Sequence, residues 1–132
     1  MTANLVVADP DRGDKTICLA VSPALKKKGV KNRCRVFEIP PSIKYITATP
    51  RMQKYIDYAA EIYGIYLRYF SPDDIYVYSI DEAFMDVTGY LSKYKKTPKE
   101  MAVFLMDKIS EEVGVRATAG IGTNLYLCKI AL

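Results

Sequence analysis

Residues 75–87 read I-Y-V-Y-S-I-D-E-A-F-M-D-V. Two runs of strand-forming residues, 75–78 and 83–87, flank the neighbouring acids Asp81 and Glu82. Val, Ile, Tyr and Phe suit the half-buried pleated surface of a sheet. The spacing therefore predicts a β-hairpin whose tight connection carries two adjacent carboxylates. Side chains alternate faces along a strand, which puts Glu82, Phe84 and Asp86 on one face if the second strand starts at Glu82. Carboxylates in so apolar a run are costly to desolvate unless they are paired or hold a cation. The plainer alternative is that turns favour acidic residues and that Asp81-Glu82 is simply solvated.

Working outward, Met52, Tyr55, Ile56, Ala59, Ile62, Tyr63, Tyr66, Leu67 and Phe70 recur at three- and four-residue steps. That periodicity predicts an amphipathic helix over 52–70, ended by Ser71-Pro72-Asp73-Asp74. After the hairpin, Thr97-Pro98-Lys99-Glu100 is a capping box with proline at the first helical position. Its helix runs to about Val113, with Met101, Leu105, Ile109 and Val113 on one side and Gly114 as the stop. A strand is expected over 115–121. A last helix begins near Gly120-Ile121-Gly122, capped by Thr123 or Asn124, and its apolar ending K-I-A-L reads as a piece of something longer.

On the other side of the long helix, residues 5–8 form a short apolar run stopped by Asp9-Pro10, and 9–14 read as a turn. Residues 16–21 (T-I-C-L-A-V) predict a second strand, continuous enough to be buried on both faces. Ser22 caps a short helix with Pro23 at its first position and Gly29 as its stop. Pro40-Pro41 excludes helix, and residues 45–49 predict a brief strand. The order helix, strand, strand, helix, strand gives a fold class of α+β. The layout is ferredoxin-like, a split βαβ with helices on one face of a mixed or antiparallel sheet. Its opening strand is either one of the early runs or lies upstream of Met1.

A chain of 132 residues, half apolar and a quarter charged, fits one globular domain over 1–132. No apolar run approaches the roughly 18–20 residues of a membrane span. The opening Met1-Thr2-Ala3-Asn4 lacks a signal-peptide pattern. There is no histidine, and Cys18, Cys34 and Cys128 are widely spaced, which argues against zinc sites of the Cys/His kind and against Ser-His or Cys-His pairs. Unpaired cysteines fit a reducing cytoplasm, the expected location. Chemistry must then rest on carboxylates, lysine, arginine, hydroxyls and bound metal. Net charge is only +4, but Lys26, Lys27, Lys28, Lys31, Arg33 and Arg35 crowd one segment, and Lys93, Lys95, Lys96 and Lys99 another. Such clusters suit a polyanion, though a solvated helix end explains a single cluster as well. Most of the tyrosines sit at helix or strand spacing and read as core.

Residues 78–87, Y-S-I-D-E-A-F-M-D-V, resemble the S-I-D-E-A-[FY]-x-D-[VI] signature of Y-family, lesion-bypass DNA polymerases of the ImpB/MucB/SamB kind. Residues 120–131, G-I-G-T-N-L-Y-L-C-K-I-A, are similar to the same family's G-I-[GS]-x-N-[KL]-x-x-A-K-I-A segment. Residues 5–38 resemble the UmuC-like branch of Gram-positive bacteria. Together these motifs imply the palm of such a polymerase over nearly the whole chain. They imply a template-directed nucleotidyl transferase that copies damaged DNA in the SOS response. Two Mg²⁺ ions held by carboxylates would stabilise an in-line phosphoryl displacement, and oxygen ligands suit that hard cation. By resemblance Asp81 is a ligand of the catalytic metals and Glu82 the neighbouring carboxylate at the primer end. Lys26 falls where the family places a basic residue on the incoming triphosphate. Asp86 reads as structural. Lys129 sits where it either approaches the acids or phosphate or stays a surface lysine.

The implied partners are damaged primer-template DNA and dNTP, with a sliding clamp met through parts beyond this chain, and no membrane. The family's D-x-D-x-F-[YF] strand, thumb and little finger are missing, and Pro23 stands where the family often has tyrosine. The chain alone is therefore expected not to polymerise. Beside this reading stand a nucleotide-cyclase-like domain, a non-catalytic nucleic-acid-binding module of the same layout, and a degenerate palm kept for protein contacts.

Overall fold

The computed structural model describes residues 3–132, which fall into two compact units, a first one ending at Met52 and a second one from Gln53 to Leu132. In the first unit, β1 (Leu5–Val7) is the middle of a three-stranded sheet. It pairs antiparallel with β2 (Ala20–Val21) and parallel with β3 (Ile46–Ala48). Between them runs α1 (Pro23–Lys27), with proline at its first turn as the sequence asked. The buried Ser22 hydroxyl accepts from Leu25 N at 3.4 Å, closing the cap, and from Leu5 N at 3.0 Å, tying the helix start to β1. Val6, Ala8, Cys18, Val21, Leu25 and Val30 make up most of this unit's core.

Residues 16–21 depart from expectation. Only Ala20–Val21 joins the ladder, and Ile17 makes an isolated antiparallel bridge to Arg35. Cys18 is buried while Ile17 and Leu19 are 41% and 47% exposed. The run is apolar on both sides, but it lies at the sheet edge with one face on the core, so its second face meets solvent.

In the second unit, α2 (Met52–Tyr69) matches the periodic stretch to within one residue. Ile65 is buried on it, and Tyr66, Tyr69 and the following Phe70 pack with Met101 and Leu105. Then come β4 (Ile75–Ser79), β5 (Glu82–Met85), the short α3 (Leu91–Tyr94), and α4 (Pro98–Val113). The capping box forms: Thr97 N donates to Glu100 Oε1 at 3.0 Å and Glu100 N to Thr97 Oγ1 at 3.2 Å. Gly114 ends α4 in the left-handed conformation, φ 77°, which glycine adopts at least cost. Tyrosines in this core keep their hydroxyls satisfied: Tyr94 donates to Tyr69 O at 2.7 Å, and Tyr90 accepts from Ser71 N at 2.9 Å. The last helix is α5 (Leu125–Ala131).

The strand expected over 115–121 is absent. Val115 and Ala117 are half-buried and Arg116 and Thr118 exposed, so the extended alternation is there. A strand also needs a hydrogen-bonding edge, and among the described residues this segment pairs with none. Among those residues, too, no helix is long and apolar enough to cross a membrane.

Candidate active site

The hairpin forms as its sequence predicts, with one refinement. Ile80 and Asp81 are the turn, and Glu82 opens β5 opposite Ser79. The register slips by one between Val77 and Ser79, a bulge that re-aims the strand end beside the acids. Ile75 and Met85, paired across the hairpin, pack on the helical core. The opposite face presents Phe84 between Tyr76, ring centroids 6.5 Å apart, and Tyr78, edge-on at 5.8 Å. Period-two alternation sets Glu82 on this aromatic face with Phe84.

The two acids share one organiser. Ser79 Oγ lies 2.9 Å from Asp81 Oδ1, to which it donates, and 3.4 Å from Glu82 Oε2. Asp81 is exposed and Glu82 half-buried, so neither is entombed. Glu82 Oε1 pairs with the Lys129 ammonium from α5, and that ammonium also stands 5.2 Å over the Tyr78 ring. The hydrogen bond to Glu82 raises the Lys129 pKa, so the ammonium stays charged at neutral pH.

Local sequence explains how α5 reaches the acids. Asn124 caps it, accepting from Leu127 N at 2.9 Å. A Cβ on Gly120 would stand 2.3 Å from Cys128 O and 2.6 Å from Leu132 N, and one on Gly122 would stand 2.8 Å from Leu127 Cβ. The two glycines therefore let the preceding loop lie flat against the helix that carries Lys129.

Asp86 lies just past β5, where its Oδ1 accepts from Thr88 N at 3.1 Å, and its pKa is lowered first by the Thr88 side chain and then by that backbone bond. This is a local cap on the turn that follows. Lys26 is exposed on α1 in the first unit, whereas Asp81 and Glu82 belong to the second. Ser79 escaped the sequence reading. Its place at the strand end, two residues before Asp81 and within reach of that carboxylate, was the available signal.

Among the described residues no three His, Cys, Asp or Glu side chains come together in a way that would hold a metal ion. The Asp81–Glu82 pair offers hard oxygen donors only, which fits Mg²⁺ or Mn²⁺ but leaves the rest of a coordination shell to other groups.

An α+β fold with an acid-bearing hairpin fits a polymerase palm, and solved structures agree with that fold. DinB from Sulfolobus solfataricus superposes with a TM-score of 0.77 at 27% identity, covering 97% of this chain and 37% of that one. An insertion ternary complex of Dbh DNA polymerase gives 0.74 at 28% identity, over 96% and 37% of the two chains. The chain belongs to the impB/mucB/samB family, whose model matches residues 2–132. Among its relatives, DNA polymerase IV 2 of Bacillus subtilis is 41% identical over 128 residues, and the putative UV-damage repair protein UvrX of the same organism 38%. Both alignments cover 96% of this chain but only 30% and 29% of those proteins, so the chain spans less than a third of their length.

Proposed function

We propose that this chain supplies the palm carboxylates of a lesion-bypass DNA polymerase, with primer-template DNA and dNTP as substrates. The observation that carries it is the pair Asp81 and Glu82, adjacent at a hairpin corner, bridged by the Ser79 hydroxyl and open to solvent. Asp81 would take the metal's first protein oxygen and Glu82 a second. Bound Mg²⁺ supplies charge stabilisation for the displacement at phosphorus. The remaining donors come from substrate phosphates, water and the rest of the polymerase.

Ser79 holds the Asp81 carboxylate in one rotamer, so the ligand is pre-set before a cation arrives. Lys129 keeps Glu82 from standing unpaired when no cation is bound. In the assembled enzyme Lys26 offers a point charge for the triphosphate. A clamp contact, a place in the SOS response and a cytoplasmic location follow from the same reading.

Manganese titration followed by electron paramagnetic resonance tests this. Asp81→Ala should abolish specific Mn²⁺ binding and Glu82→Gln weaken it. Binding unchanged in Asp81→Ala would remove the metal role. The 132-residue chain by itself should extend no primer, because its two acids leave the shell incomplete.

One observation favours the non-catalytic nucleic-acid-binding alternative: Tyr76 and Tyr78 are 60% and 57% exposed on the hairpin, as base-stacking residues would be. Tyr78→Ala would then abolish RNA binding while Asp81→Ala left it alone. The acids beside those rings repel phosphate, which weighs against it.

A further inference from the structure

The first unit holds two sulfurs that the carboxylate chemistry does not use. Ile17 bridges antiparallel to Arg35, and the flanking bonds, Cys18 N to Cys34 O at 2.7 Å and Val36 N to Thr16 O at 3.1 Å, set Cys18 directly across from Cys34. Opposed residues of an antiparallel pair send their side chains to one face. Here that face is the core: Cys18 is 0% and Cys34 9% exposed, among Val6, Val21, Leu25 and Val30. A single buried cysteine is ordinary packing. Two that face each other across a ladder bond are not, because such residues stand about 5.5 Å apart at Cα, inside the roughly 4.4–6.8 Å that a disulfide spans. Both are free thiols, and Cys34 is close enough to add to the rise that burial gives the Cys18 pKa. The third cysteine, Cys128, belongs to the other unit.

We propose that Cys18 and Cys34 form a reversible dithiol–disulfide site, oxidised by a low-molecular-weight disulfide, which staples the α1 segment to the sheet edge. The less buried Cys34 attacks the small disulfide as its thiolate, forming a mixed disulfide and expelling one thiolate. Cys18 then gives up its proton, attacks Cys34 Sγ and expels the second. One S–S bond forms in the protein and one breaks in the reagent; two electrons and two protons leave on two small thiols. Because both sulfurs are buried, exchange waits on opening of the 31–36 segment, whose turn is closed by Cys34 N on Lys31 O at 3.3 Å and carries Arg33 at φ 60°. The site thus answers sustained oxidation, not a brief exposure. Burial first, and then Cys34, push the Cys18 thiol up to about 11. That makes it a poor leaving group, so the bond yields slowly to reductant once made. The loop it closes contains α1 with Lys26. The site lies wholly in the first unit and rests on neither metal nor synthesis, so it goes beyond the polymerase reading and survives that reading's failure.

The test uses the whole 132-residue chain, reduced and unfolded in urea, then equilibrated in graded mixtures of reduced and oxidised glutathione with urea kept or removed. Acid quenching, alkylation and peptide mass spectrometry read the linked pairs. Closing a loop of about 16 residues in the unfolded chain costs entropy that the fold has already met, so the effective concentration of Cys18 for Cys34 should be roughly a hundredfold higher folded than unfolded. By linkage the linked protein should also unfold at higher urea, and hydrogen exchange of the α1 amides should slow. A Cys128→Ser variant, altered only on the half-buried α5 cysteine, should give the same ratio. An effective concentration no higher in the folded chain than in urea would overturn the proposal. So would links to Cys128 outnumbering the Cys18–Cys34 link, or α1 exchange unchanged in the linked protein.

Discussion

The ammonium of Lys129, carried by α5, pairs with Glu82 at the first residue of β5, forty-seven positions earlier in the chain. The same ammonium stands 5.2 Å over the Tyr78 ring, so one lysine meets both the acid and the aromatic face of the hairpin. A cation that takes the Oε1 oxygen of Glu82 must displace it.

Replacing Lys129 by glutamine should therefore tighten Mn²⁺ binding, by roughly two- to fivefold for a pair this exposed to solvent. Paramagnetic titration of the variant beside wild type reads this directly. Equal affinities would mean that the metal does not compete with Lys129 for the Oε1 oxygen of Glu82. Because the Lys129 pKa is raised by Glu82, the pairing is complete at neutral pH and is lost only as pH rises through that raised value. The difference between the two proteins should thus hold steady from pH 6 to about 8.

Gly120→Ala should cost about 1–3 kcal/mol, because its Cβ would collide with backbone atoms of α5 that cannot turn aside. Gly89→Ala makes the control, since nothing lies within 4 Å of a Cβ there. Urea unfolding of both reports the difference. A Gly120→Ala variant as stable as Gly89→Ala would show that α5 does not rest on this loop.

The capping box at the start of α4 predicts an acid-sensitive component of stability. The Thr97 N–H holds the Glu100 pKa below its ordinary value. A carboxyl whose folded pKa is depressed stabilises fully above its unfolded pKa, about 4.3, and loses that contribution as pH falls through the folded value. Glu100→Gln should consequently be less stable than wild type at pH 7, with the gap closing below about pH 4. Thermal melts across that range check it, and a gap independent of pH would assign the loss to something other than charge.

The parts legible in the sequence were those fixed by local rules. The Thr97 box and Gly114 bound α4 as expected, and the stripe from Met52 to Phe70 gave α2, since caps and periodicity act within a turn or two. The hairpin with Asp81 and Glu82 at its corner was readable for the same reason, and the family resemblance added the metal role implied for those acids. What depends on a partner edge was not readable. Residues 115–121 keep a strand's alternation without a ladder, and Ile17 and Leu19 look like core until the sheet is seen to leave their face bare. Lys129 stood undecided between the surface and the acids, because its reach to Glu82 depends on how Gly120 and Gly122 seat α5.

Cysteine reactivity should divide sharply. Burial, reinforced by the neighbouring Cys34 and then by Glu38, pushes the Cys18 thiol up to about 11. At pH 8 that leaves roughly a hundredfold less thiolate than an ordinary cysteine carries, and the thiolate is the nucleophile. Cys34 is buried with it: the two residues lie opposite each other, with Cys18 N donating to Cys34 O at 2.7 Å. Cys128 is half-buried on α5, its thiol against Gly122 O at 3.7 Å. Iodoacetamide at pH 8, with sites located by mass spectrometry, should label Cys128 first and reach Cys18 and Cys34 only when urea opens the first unit. Labelling of Cys18 at the rate of Cys128 in the folded protein would contradict the packing of this sheet.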